Sequence, residues 1–494
     1  MNQMKKGGIL LAISSLPSSY GVGDFGKNAY HFVDLLSEGG FSLWQILPLN
    51  PLGYGHSPYQ PFSSFAIDEI YMDLDALHKE GLIKEPKPYR PDIDRTDYEG
   101  ARAYKLPLLR EAFKKELAEK PNLLKDFMKK NPWVKDYAAF RVFKEENGGV
   151  CWDQWPLKDQ QWVEKRPSLT GKRKEEFDFH VYLQYKLYQQ WDKLHAYAND
   201  NGIQIIGDVP FYVGFDSADV WGNQDTFLLD PESKQPTFIA GVPPDYFSET
   251  GQRWGNPIYD WDKLAKEDFA FVQNRILLNA KIYDIVRLDH FRAFDTFWKI
   301  PASCETAIDG EWVEAPGYAL FDSLFKKAPS LSLIAEDLGD LRPEVLTLRD
   351  HYSLPGMNVI EFTFGPYELE HDGDWDAENS VAYLGTHDND TMLSYFYELE
   401  DMEQAKWVLA LQNHGIDGGT MVDRMIRYCL AKRAKFAVLA MQDILELDGD
   451  CRMNVPSTVN DINWTWKMKD FDAFQAKLPR LAILLHDAGR STLG

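Results

Sequence analysis

Residues 282–292, IYDIVRLDHFR, contain the pattern from which the fold of this chain is predicted. The first half is rich in β-branched and aromatic residues, which favours a buried β-strand. The second half places Arg287, Asp289 and His290 within four positions. Because alternate side chains of a strand share one face, we expect Arg287 to lie beside Asp289 and to hold its carboxylate ionised. For this motif alone, a structural ion pair at a strand end is the more ordinary interpretation.

Seven other apolar runs have the length and composition of strands. With the first, the predicted strands are 7–13, 41–47, 203–208, 283–289, 332–336, 358–364, 381–386 and 436–441. Helical spacing is present at 27–39, 267–281 and 343–351. Strands that alternate with helices predict a parallel α/β sheet, and eight such units predict a (β/α)8 TIM barrel. A doubly wound open sheet is the alternative, because no helix is apparent between residues 364 and 381.

The domain organisation follows from the spacing of these strands. We interpret residues 1–494 as a single (β/α)8 catalytic domain without a C-terminal β-sandwich, since the residues after the eighth strand look helical or irregular. Residues 53–200 contain helical patterns at 105–130 and 175–198, and they should form a mostly helical insertion after the second strand. Residues 209–266 should form an insertion and active-site loop after the third strand.

Composition excludes several classes of partner. The net charge of −23 disfavours nucleic acid and anionic membranes. The four cysteines have no C-x-x-C spacing, and the run 388–390 lacks the other ligands of a calcium loop. No apolar run approaches a membrane span or a signal peptide. We therefore expect a cytoplasmic protein that uses no metal or other cofactor, and the sequence makes no prediction of its oligomeric state.

Four acids end or follow predicted strands: Asp208, Asp289, Glu336 and Asp388. In a barrel the carboxyl ends of the strands lie at one rim, so these side chains should converge. Glycosyl transfer needs such a set, because one carboxylic acid protonates the leaving oxygen while a second carboxylate attacks or shields the anomeric carbon. Burial should raise the pKa of Glu336, whereas Arg287 should keep Asp289 ionised. Aromatic residues, 14% of the chain, also suit a cleft in which sugar rings stack.

Motifs along almost the whole chain resemble those of one enzyme family. They are SLPSSYGVGDFG at 15–26, WQILPLNPLGYGHSPYQPFSSFA at 44–66, GDVPFYV at 207–213, GVPPDYFSETGQRWGNPIY at 241–259, VRLDHFRAF at 286–294, IAEDLG at 334–339, GTHDND at 385–390 and RMNVPST at 452–458. In this order they resemble glycoside hydrolase family 77 of the alpha-amylase clan, the 4-alpha-glucanotransferases called amylomaltases or disproportionating enzymes.

The resemblance implies a reaction and a set of residues. The reaction is retaining transfer of 1,4-alpha-D-glucan segments, from maltooligosaccharides, starch or glycogen fragments, to a glucose or maltooligosaccharide acceptor. Asp289 is implied as nucleophile, Glu336 as general acid/base, and Asp388 as a third carboxylate that holds sugar hydroxyls. The residues implied to bind substrate are Tyr59, Ser57, Asp208, Asp245, Phe247, Trp254, Arg287, His387 and Asn460.

The chain departs from the usual family pattern at three places. Ala12-Ile13 stands where His-Pro is usual, His56 replaces an aspartate, and Ile67-Asp68 replaces Gly-Asn. None of these is a proposed carboxylate, so we expect them to affect only the outer subsites.

Two other functions stay open at this point, an alpha-amylase-type hydrolase and a glucan-binding protein that has lost catalysis. The chain retains Asp289, Glu336 and Asp388, which disfavours a binding protein that has lost catalysis. A long loop at 241–259 would exclude water from the cleft and so favours transfer over hydrolysis.

Overall fold

The structure is a computed structural model that describes residues 5–244, 248–339, 341–364 and 376–493. In these residues the strands, in chain order, are β1 (Lys6–Leu10), β2 (Leu43–Gln45), β3 (Gln204–Val209), β4 (Phe238–Val242), β5 (Gln252–Pro257), β6 (Ile285–Leu288), β7 (Thr296–Pro301), β8 (Glu311–Glu314), β9 (Leu333–Ala335), β10 (Gly356–Val359), β11 (Ser380–Tyr383) and β12 (Phe436–Ala440).

The α-helices of the same residues are α1 (Lys27–Glu38), α2 (Leu74–Lys79), α3 (Tyr98–Glu119), α4 (Leu123–Lys130), α5 (Trp133–Glu146), α6 (Leu157–Gln160), α7 (Trp162–Lys165), α8 (Gly171–Asp200), α9 (Ala218–Gly222), α10 (Trp261–Lys266), α11 (Ala270–Ile282), α12 (Gly317–Lys327), α13 (Pro343–His351), α14 (Ile360–Thr363), α15 (Met392–Glu398), α16 (Asp401–Asn413), α17 (Met421–Ala431), α18 (Met441–Ile444) and α19 (Asp472–Asp487). None of these helices combines the length and the apolar character that crossing a membrane requires.

Eight parallel strands form a barrel. Their order is β10-β11-β12-β1-β2-β3-β6-β9, so each strand lies beside the barrel strands that precede and follow it in the chain. The Ala335 N–H at the end of β9 donates to the Pro355 carbonyl just before β10 at 2.9 Å, which joins the two remaining edges. The (β/α)8 prediction is therefore confirmed, and the doubly wound open sheet is excluded.

The barrel strands and their helices follow the predicted apolar patterns. All five residues of β12 and all four of β11 are buried, as continuous apolar runs in a parallel sheet should be. α1 buries the face predicted from its spacing, and α13 begins at Pro343, whose fixed φ suits the first helical position.

The strand predicted at 358–364 is wrong beyond Val359. The β10 ladder ends where Val359 pairs with Tyr383, and the next four residues form the short helix α14. The Thr363 hydroxyl donates to the Asn358 side chain at 2.9 Å, and such local hydrogen bonds compete with strand pairing. Most of the segment between 364 and 381, in which the sequence showed no helix, lies outside the described residues.

The chain between β2 and β3 is mostly helical and contains α2 to α8. Its junction with the barrel is held by buried charge: both Asp68 oxygens accept from Arg102 at 3.0 Å, and Glu69 contacts Arg141 at 3.3 Å. Asp68 also accepts the Leu52 N–H at 2.9 Å, so this departure from the family pattern anchors the loop that follows β2. The proposed division of 1–494 into one catalytic domain with insertions at 53–200 and 209–266 stays a prediction.

A second, antiparallel sheet corrects the expectation of a long loop at 241–259. Its strand order is β5-β4-β7-β8, and Gly241 pairs with Trp298. β4 and β5 precede the barrel strand β6, whereas β7 and β8 follow it. The pairing was missed because it joins segments on both sides of β6, which no local pattern reveals.

After β12, the described residues contain helices and no strand, as expected for a chain without a C-terminal β-sandwich. The end of the chain is tied back to the barrel by Arg490, which is 1% exposed. Its guanidinium donates to the carbonyls of Lys6, Leu430 and Ala434 at 2.7–3.1 Å. Because Lys6 begins β1 and Ala434 precedes β12, this side chain holds the two strands together at their amino ends.

Arg275 on α11 has a similar role on the opposite rim, beyond Asp208. It is 2% exposed and donates to the carbonyls of Pro210 at 2.6 Å and Phe211 at 2.8 Å. We predict that Arg275→Met lowers the free energy of unfolding by about 3 kcal/mol, because these buried carbonyls lose their donors. Denaturant unfolding would measure the change.

The matched control is Arg433→Met, since the Arg433 side chain is 59% exposed. It should change the free energy of unfolding by less than about 0.5 kcal/mol. Equal effects of the two substitutions would contradict the role given to Arg275.

Candidate active site

The four predicted acids lie at the rim formed by the carboxyl ends of the barrel strands. Asp208 is in β3, Asp289 directly follows β6, Glu336 directly follows β9, and Asp388 lies in the loop after β11. The Asp289 N–H donates to the Val209 carbonyl at 3.1 Å, and the Glu336 N–H donates to the Leu288 carbonyl at 3.0 Å. Both acids are therefore held by backbone bonds that extend the barrel ladder beyond its last paired residues.

Arg287 joins two of these acids, as the side-chain alternation of β6 predicted. Its Nη1 atom lies 2.7 Å from Oδ2 and 2.9 Å from Oδ1 of Asp208, and 3.0 Å from Oδ1 of Asp289. Burial opposes the charge of Arg287, but the two carboxylates outweigh it and raise the pKa of the guanidinium well above its usual value. Arg287 is thus a permanent cation beneath the rim, only 4% exposed.

The pKa of Asp289 differs from the expectation. Burial, assisted by the nearby Asp208 carboxylate, raises the pKa of Asp289 to about 6, although Arg287 and His387 act to lower it. The single Arg287 contact to Asp289 is shared with Asp208, which takes two. A pKa of about 6 still leaves most of Asp289 ionised at neutral pH, and 28% of its side chain is open to the cleft.

Glu336 is held in a different environment. Burial and the neighbouring Asp289 carboxylate raise the pKa of Glu336 to about 8, against the lowering effect of Arg287. Glu336 Oε2 accepts the His290 N–H at 2.7 Å, which orients the carboxyl group. Glu336 is therefore mostly protonated at neutral pH while Asp289 is mostly ionised.

His290 was part of the opening motif, but no role was predicted for it. Its φ of 49° places it in the left-handed region, which is uncommon for a residue with a side chain. This turn directs its N–H to Glu336. Burial and the charge of Arg292 lower the pKa of His290 to about 4, so the imidazole is neutral at pH 7.

Asp388 is the third carboxylate at the rim, and 46% of its side chain is exposed. His387 Nε2 lies 3.4 Å from Asp388 Oδ2, and Asn454 Nδ2 donates to Asp388 Oδ1 at 2.7 Å. Burial alone would raise the pKa of Asp388, but His387 and the Asn454 hydrogen bond reverse this and hold it well below its usual range. Asp388 is therefore a carboxylate throughout the neutral range.

Tyr59 closes one side of the cluster. Its ring stacks on His387 with centroids 5.0 Å apart and an interplanar angle of 16°. Its hydroxyl donates to Asp208 Oδ2 at 2.7 Å, and burial together with this carboxylate raises the pKa of Tyr59 well above 10. Ser57 supports the turn, since its Oγ accepts the Tyr59 N–H at 3.3 Å.

Asp208 is 1% exposed, and both of its carboxylate oxygens are occupied by Arg287 and Tyr59. It therefore lies beneath these two side chains rather than in the open part of the rim. A direct contact between Asp208 and substrate stays a prediction of the resemblance, and the observed contacts favour a supporting role.

Trp254 lies in strand β5, although the sequence predicted a long loop at 241–259. Its indole meets the His290 ring edge to face with centroids 5.0 Å apart, and its carbonyl accepts from Gln60 Nε2 at 3.2 Å. The antiparallel sheet thus brings an aromatic side chain beside the Asp289–Glu336 pair.

For three of the predicted binding residues, contact with this cluster stays a prediction. Asp245 and Phe247 lie outside the described residues. Asn460 is exposed, and its Oδ1 accepts the N–H groups of Ile462 and Asn463, both at 2.8 Å. Asn460 therefore orders its own loop, and its contact with substrate stays a prediction.

Sequence reasoning assigned no role to His290, Asn454 or Trp464. His290 acts through its backbone N–H, which leaves no side-chain signal. Asn454 belongs to RMNVPST, which was noted only as a motif. Trp464 packs against Tyr59 and His387 with centroids 5.7 and 5.8 Å away, and it was missed although Asn460, four positions before it, was predicted to bind substrate.

A possible metal-binding group lies elsewhere among the described residues. Glu145, Glu176 and His180 on α5 and α8 have ligand atoms within 4.8 Å of one another. Arg141 approaches Glu145 at 3.4 Å, and Arg110 holds Glu176 at 2.6 Å. Because guanidinium groups already neutralise both carboxylates, this cluster is better suited to joining helices than to binding a cation.

The chain is similar to known proteins over nearly its whole length. The sequence model of the 4-alpha-glucanotransferase family, glycoside hydrolase family 77, matches residues 11–473. A 4-alpha-glucanotransferase from Aquifex aeolicus is 44% identical over 472 residues, 94% of this chain and 96% of that protein. A 4-alpha-glucanotransferase from Synechocystis is 42% identical over 484 residues, 93% of each chain.

Comparison with solved structures indicates the same family. The structure of an amylomaltase from Streptococcus agalactiae in complex with acarbose matches with a TM-score of 0.91 and 36% identity, covering 99% of this chain and 100% of the other. A rim of carboxylates in opposite protonation states, on a barrel that matches this structure, agrees with the sequence comparisons. The chain belongs to glycoside hydrolase family 77, the 4-alpha-glucanotransferases.

Proposed function

We propose that this 4-alpha-glucanotransferase transfers segments of 1,4-alpha-D-glucan to a glucose or maltooligosaccharide acceptor by double displacement, with Asp289 as nucleophile and Glu336 as general acid/base. The observation that supports these roles is the placement of the two acids on neighbouring strands, in surroundings that favour opposite protonation states. Leu288 pairs with Ala335, so the acids that follow them, one mostly ionised and one mostly protonated, are adjacent on the rim. This is the arrangement that retaining glycosyl transfer requires.

In the first step, the Asp289 carboxylate attacks the anomeric carbon while the bond from that carbon to the leaving glucan oxygen breaks. The Glu336 proton moves to this oxygen, which leaves as a hydroxyl group. In the second step, an acceptor hydroxyl gives its proton to the Glu336 carboxylate and attacks the same carbon. The ester bond to Asp289 breaks, and the new glycosidic bond keeps the original configuration.

The surrounding residues support binding roles. Asp388 is ionised and partly exposed, so it can accept hydrogen bonds from sugar hydroxyl groups, and His387 stands beside it. The rings of Tyr59 and Trp254 lie beside His387 and His290, and aromatic surfaces of this kind suit pyranose rings. Arg287 holds Asp208 and Asp289 at fixed positions in the cleft.

Transfer rather than hydrolysis requires that a sugar acceptor displaces water from the intermediate. We infer that the segment 241–259 helps a sugar acceptor to displace water. Strand β5 in this segment places Trp254 beside His290, which directly follows Asp289. Asp245 and Phe247 in the same segment are expected to contact the acceptor. The hydrolase alternative is not favoured by the family assignment, and a cytoplasmic location stays a prediction.

The protonation states predict a bell-shaped pH dependence of kcat/KM. Activity should rise as Asp289 ionises through a pKa of about 6 and fall as Glu336 loses its proton through a pKa of about 8. The two apparent pKa values in this profile belong to Asp289 and Glu336 as a coupled pair. Initial rates between about pH 4 and pH 10, roughly two pH units beyond each limb, would measure the profile.

An activated donor, α-maltosyl fluoride, provides the control, because fluoride leaves without needing a proton. With this donor, kcat/KM should no longer fall at alkaline pH, while the rise on the acidic side should stay. An alkaline limb of equal size with both donors would contradict the general-acid role of Glu336.

The proposed activity is tested by incubation with maltotriose as sole substrate. A transferase moves a maltosyl group from one maltotriose to another, which gives glucose together with maltopentaose and then longer oligomers, with little increase in total reducing ends. A hydrolase instead produces glucose and maltose, reducing ends rise steadily, and no product is longer than the substrate. Chromatography of the products at early times separates these two outcomes.

A further inference from the structure

Asp388 differs from the other acids of the rim because no strand holds it. β11 ends at Tyr383, and the loop that follows must carry the carboxylate to its place. Within that loop, Asn389 Oδ1 accepts the Thr386 N–H at 2.8 Å and the Thr386 hydroxyl at 2.9 Å. The Thr386 hydroxyl also accepts the Asp388 N–H at 3.3 Å. These bonds close the turn and hold the N–H of Asp388, but its backbone carbonyl needs another anchor.

Two anchors come from the segment after β12. Arg452 Nη2 donates to the backbone carbonyl of Asp388 at 2.6 Å, and Asn454 Nδ2 donates to Asp388 Oδ1 at 2.7 Å. Arg452 Nε also donates to the carbonyl of Asn454 at 2.7 Å. One guanidinium therefore holds the backbone of the acid and the backbone of the amide that orients its carboxylate.

The geometry requires an arginine. The rigid guanidinium fork presents Nε and Nη2 in fixed directions, so two carbonyls can be bound at a set separation. A lysine ammonium is a single point donor on a flexible chain and would hold one carbonyl at a time. Arg452 itself is restrained, since its N–H donates to the Gly449 carbonyl at 3.0 Å.

The loop also has space into which it would relax. A cavity of about 20 Å³ lies between residues 386–391 and the end of β12, and Arg452, His387 and Asp443 are among its lining residues. Removing the Arg452 side chain would enlarge this cavity directly beside His387 and Asp388. Neighbouring atoms tend to move partly into such a void, which would shift the carboxylate from its position at the rim.

We propose that Arg452 is a positioning residue that fixes Asp388 and Asn454 in the geometry needed at the transition state. The proposal rests on the proposed function, in which the Asp388 carboxylate holds sugar hydroxyl groups during transfer. Arg452 would not touch substrate. It acts through Asp388, so its loss should matter only while that carboxylate is present.

The first test is kinetic. Arg452→Ala should lower kcat for maltotriose by about 10²-fold, the effect of displacing a reacting group by about 1 Å, with KM changed by less than about threefold. Arg452→Lys should recover part of this loss, because one of the two carbonyls regains a donor. Arg433→Ala is the matched control, since the exposed Arg433 contacts only Asp376 and Glu378 among the described acids, and kcat should be unchanged.

A double-mutant cycle separates positioning from a merely structural role. All four corners of the cycle are measured with α-maltosyl fluoride. In an Asp388→Asn background, Arg452→Ala should then cost less than about threefold in rate, because the carboxylate it positions is already lost. Equal costs in both backgrounds would overturn the proposal, and so would a loss of kcat that is fully explained by a lower melting temperature. Thermal unfolding of every variant is therefore measured alongside the rates.

Failure of this inference is distinct from failure of the proposed function. If Asp388→Asn retains near-native kcat, the role given to Asp388 is wrong and the proposal for Arg452 falls with it. If Asp388→Asn is severely impaired while Arg452→Ala is not, the proposed function stands and only the positioning role is overturned.

Discussion

Replacing Asp289 by alanine should lower kcat for glucan transfer by about 10⁴-fold to 10⁶-fold, the range observed when a covalent nucleophile is removed. The reason is structural as well as chemical. Asp289 and Asp388 are both mostly ionised at neutral pH and partly exposed, but Asp289 is the one that follows the strand paired with that of Glu336. Without it, the leaving glucan departs with no partner for the developing positive charge on the anomeric carbon. Initial rates with maltotriose measure the loss.

Chemical rescue distinguishes a nucleophile from a binding residue. Azide can occupy the space left in Asp289→Ala and attack α-maltosyl fluoride from the side that the carboxylate used. The expected product is β-maltosyl azide, in which the configuration is inverted because only one displacement has occurred. Rescue that yields the α-azide, or near-native kcat without azide, would remove Asp289 from the nucleophile role. Asp262→Asn, an exposed acid on α10, serves as the control.

The second large effect concerns Glu336. Glu336→Gln should lower kcat with maltotriose by about 10²-fold to 10⁴-fold, because the leaving oxygen no longer receives a proton. Formation of the glycosyl intermediate from α-maltosyl fluoride should be slowed by less than about tenfold, since fluoride leaves unaided. The second step then lacks its base, so the intermediate on Asp289 should accumulate and be detected by mass spectrometry of the intact protein.

Glu344 provides the matched control for this substitution. It lies at the start of α13, and its side chain is 62% exposed. Glu344→Gln should behave as the unmodified enzyme with both donors. An equal loss with maltotriose and with the fluoride in Glu336→Gln would indicate that Glu336 has a binding or structural role instead.

The placement of the acids shows why so much of the site was predictable. Asp289 and Glu336 directly follow short apolar runs, and each run has the length and composition of a buried strand. Once such runs alternate with helices, the parallel barrel brings their carboxyl ends to one rim regardless of how far apart they lie in the chain. The contact between Arg287 and Asp289 needed only side-chain alternation within one strand.

The protonation states were less accessible from sequence. The pair Arg287 and Asp289 predicted a carboxylate stabilised by its neighbour. Burial raises the pKa of Asp289 most, and Asp208 on the adjacent strand adds to the rise while it takes two of the Arg287 contacts. The magnitude and even the direction of the shift depend on burial and on charges that come together only in the folded barrel.

Local sequence patterns were enough to predict most strands and helices, the parallel barrel and the acids at its rim, because each depends on apolar spacing and on one rule of topology. Tertiary structure decided the antiparallel sheet of β4, β5, β7 and β8, whose partners lie on both sides of β6. It also decided the supports of Glu336 and Asp388, since the backbone N–H of His290 and the side chains of Arg452 and Asn454 reach them from other segments. Hydrogen bonds of this kind join distant residues through geometry, and no local pattern encodes them.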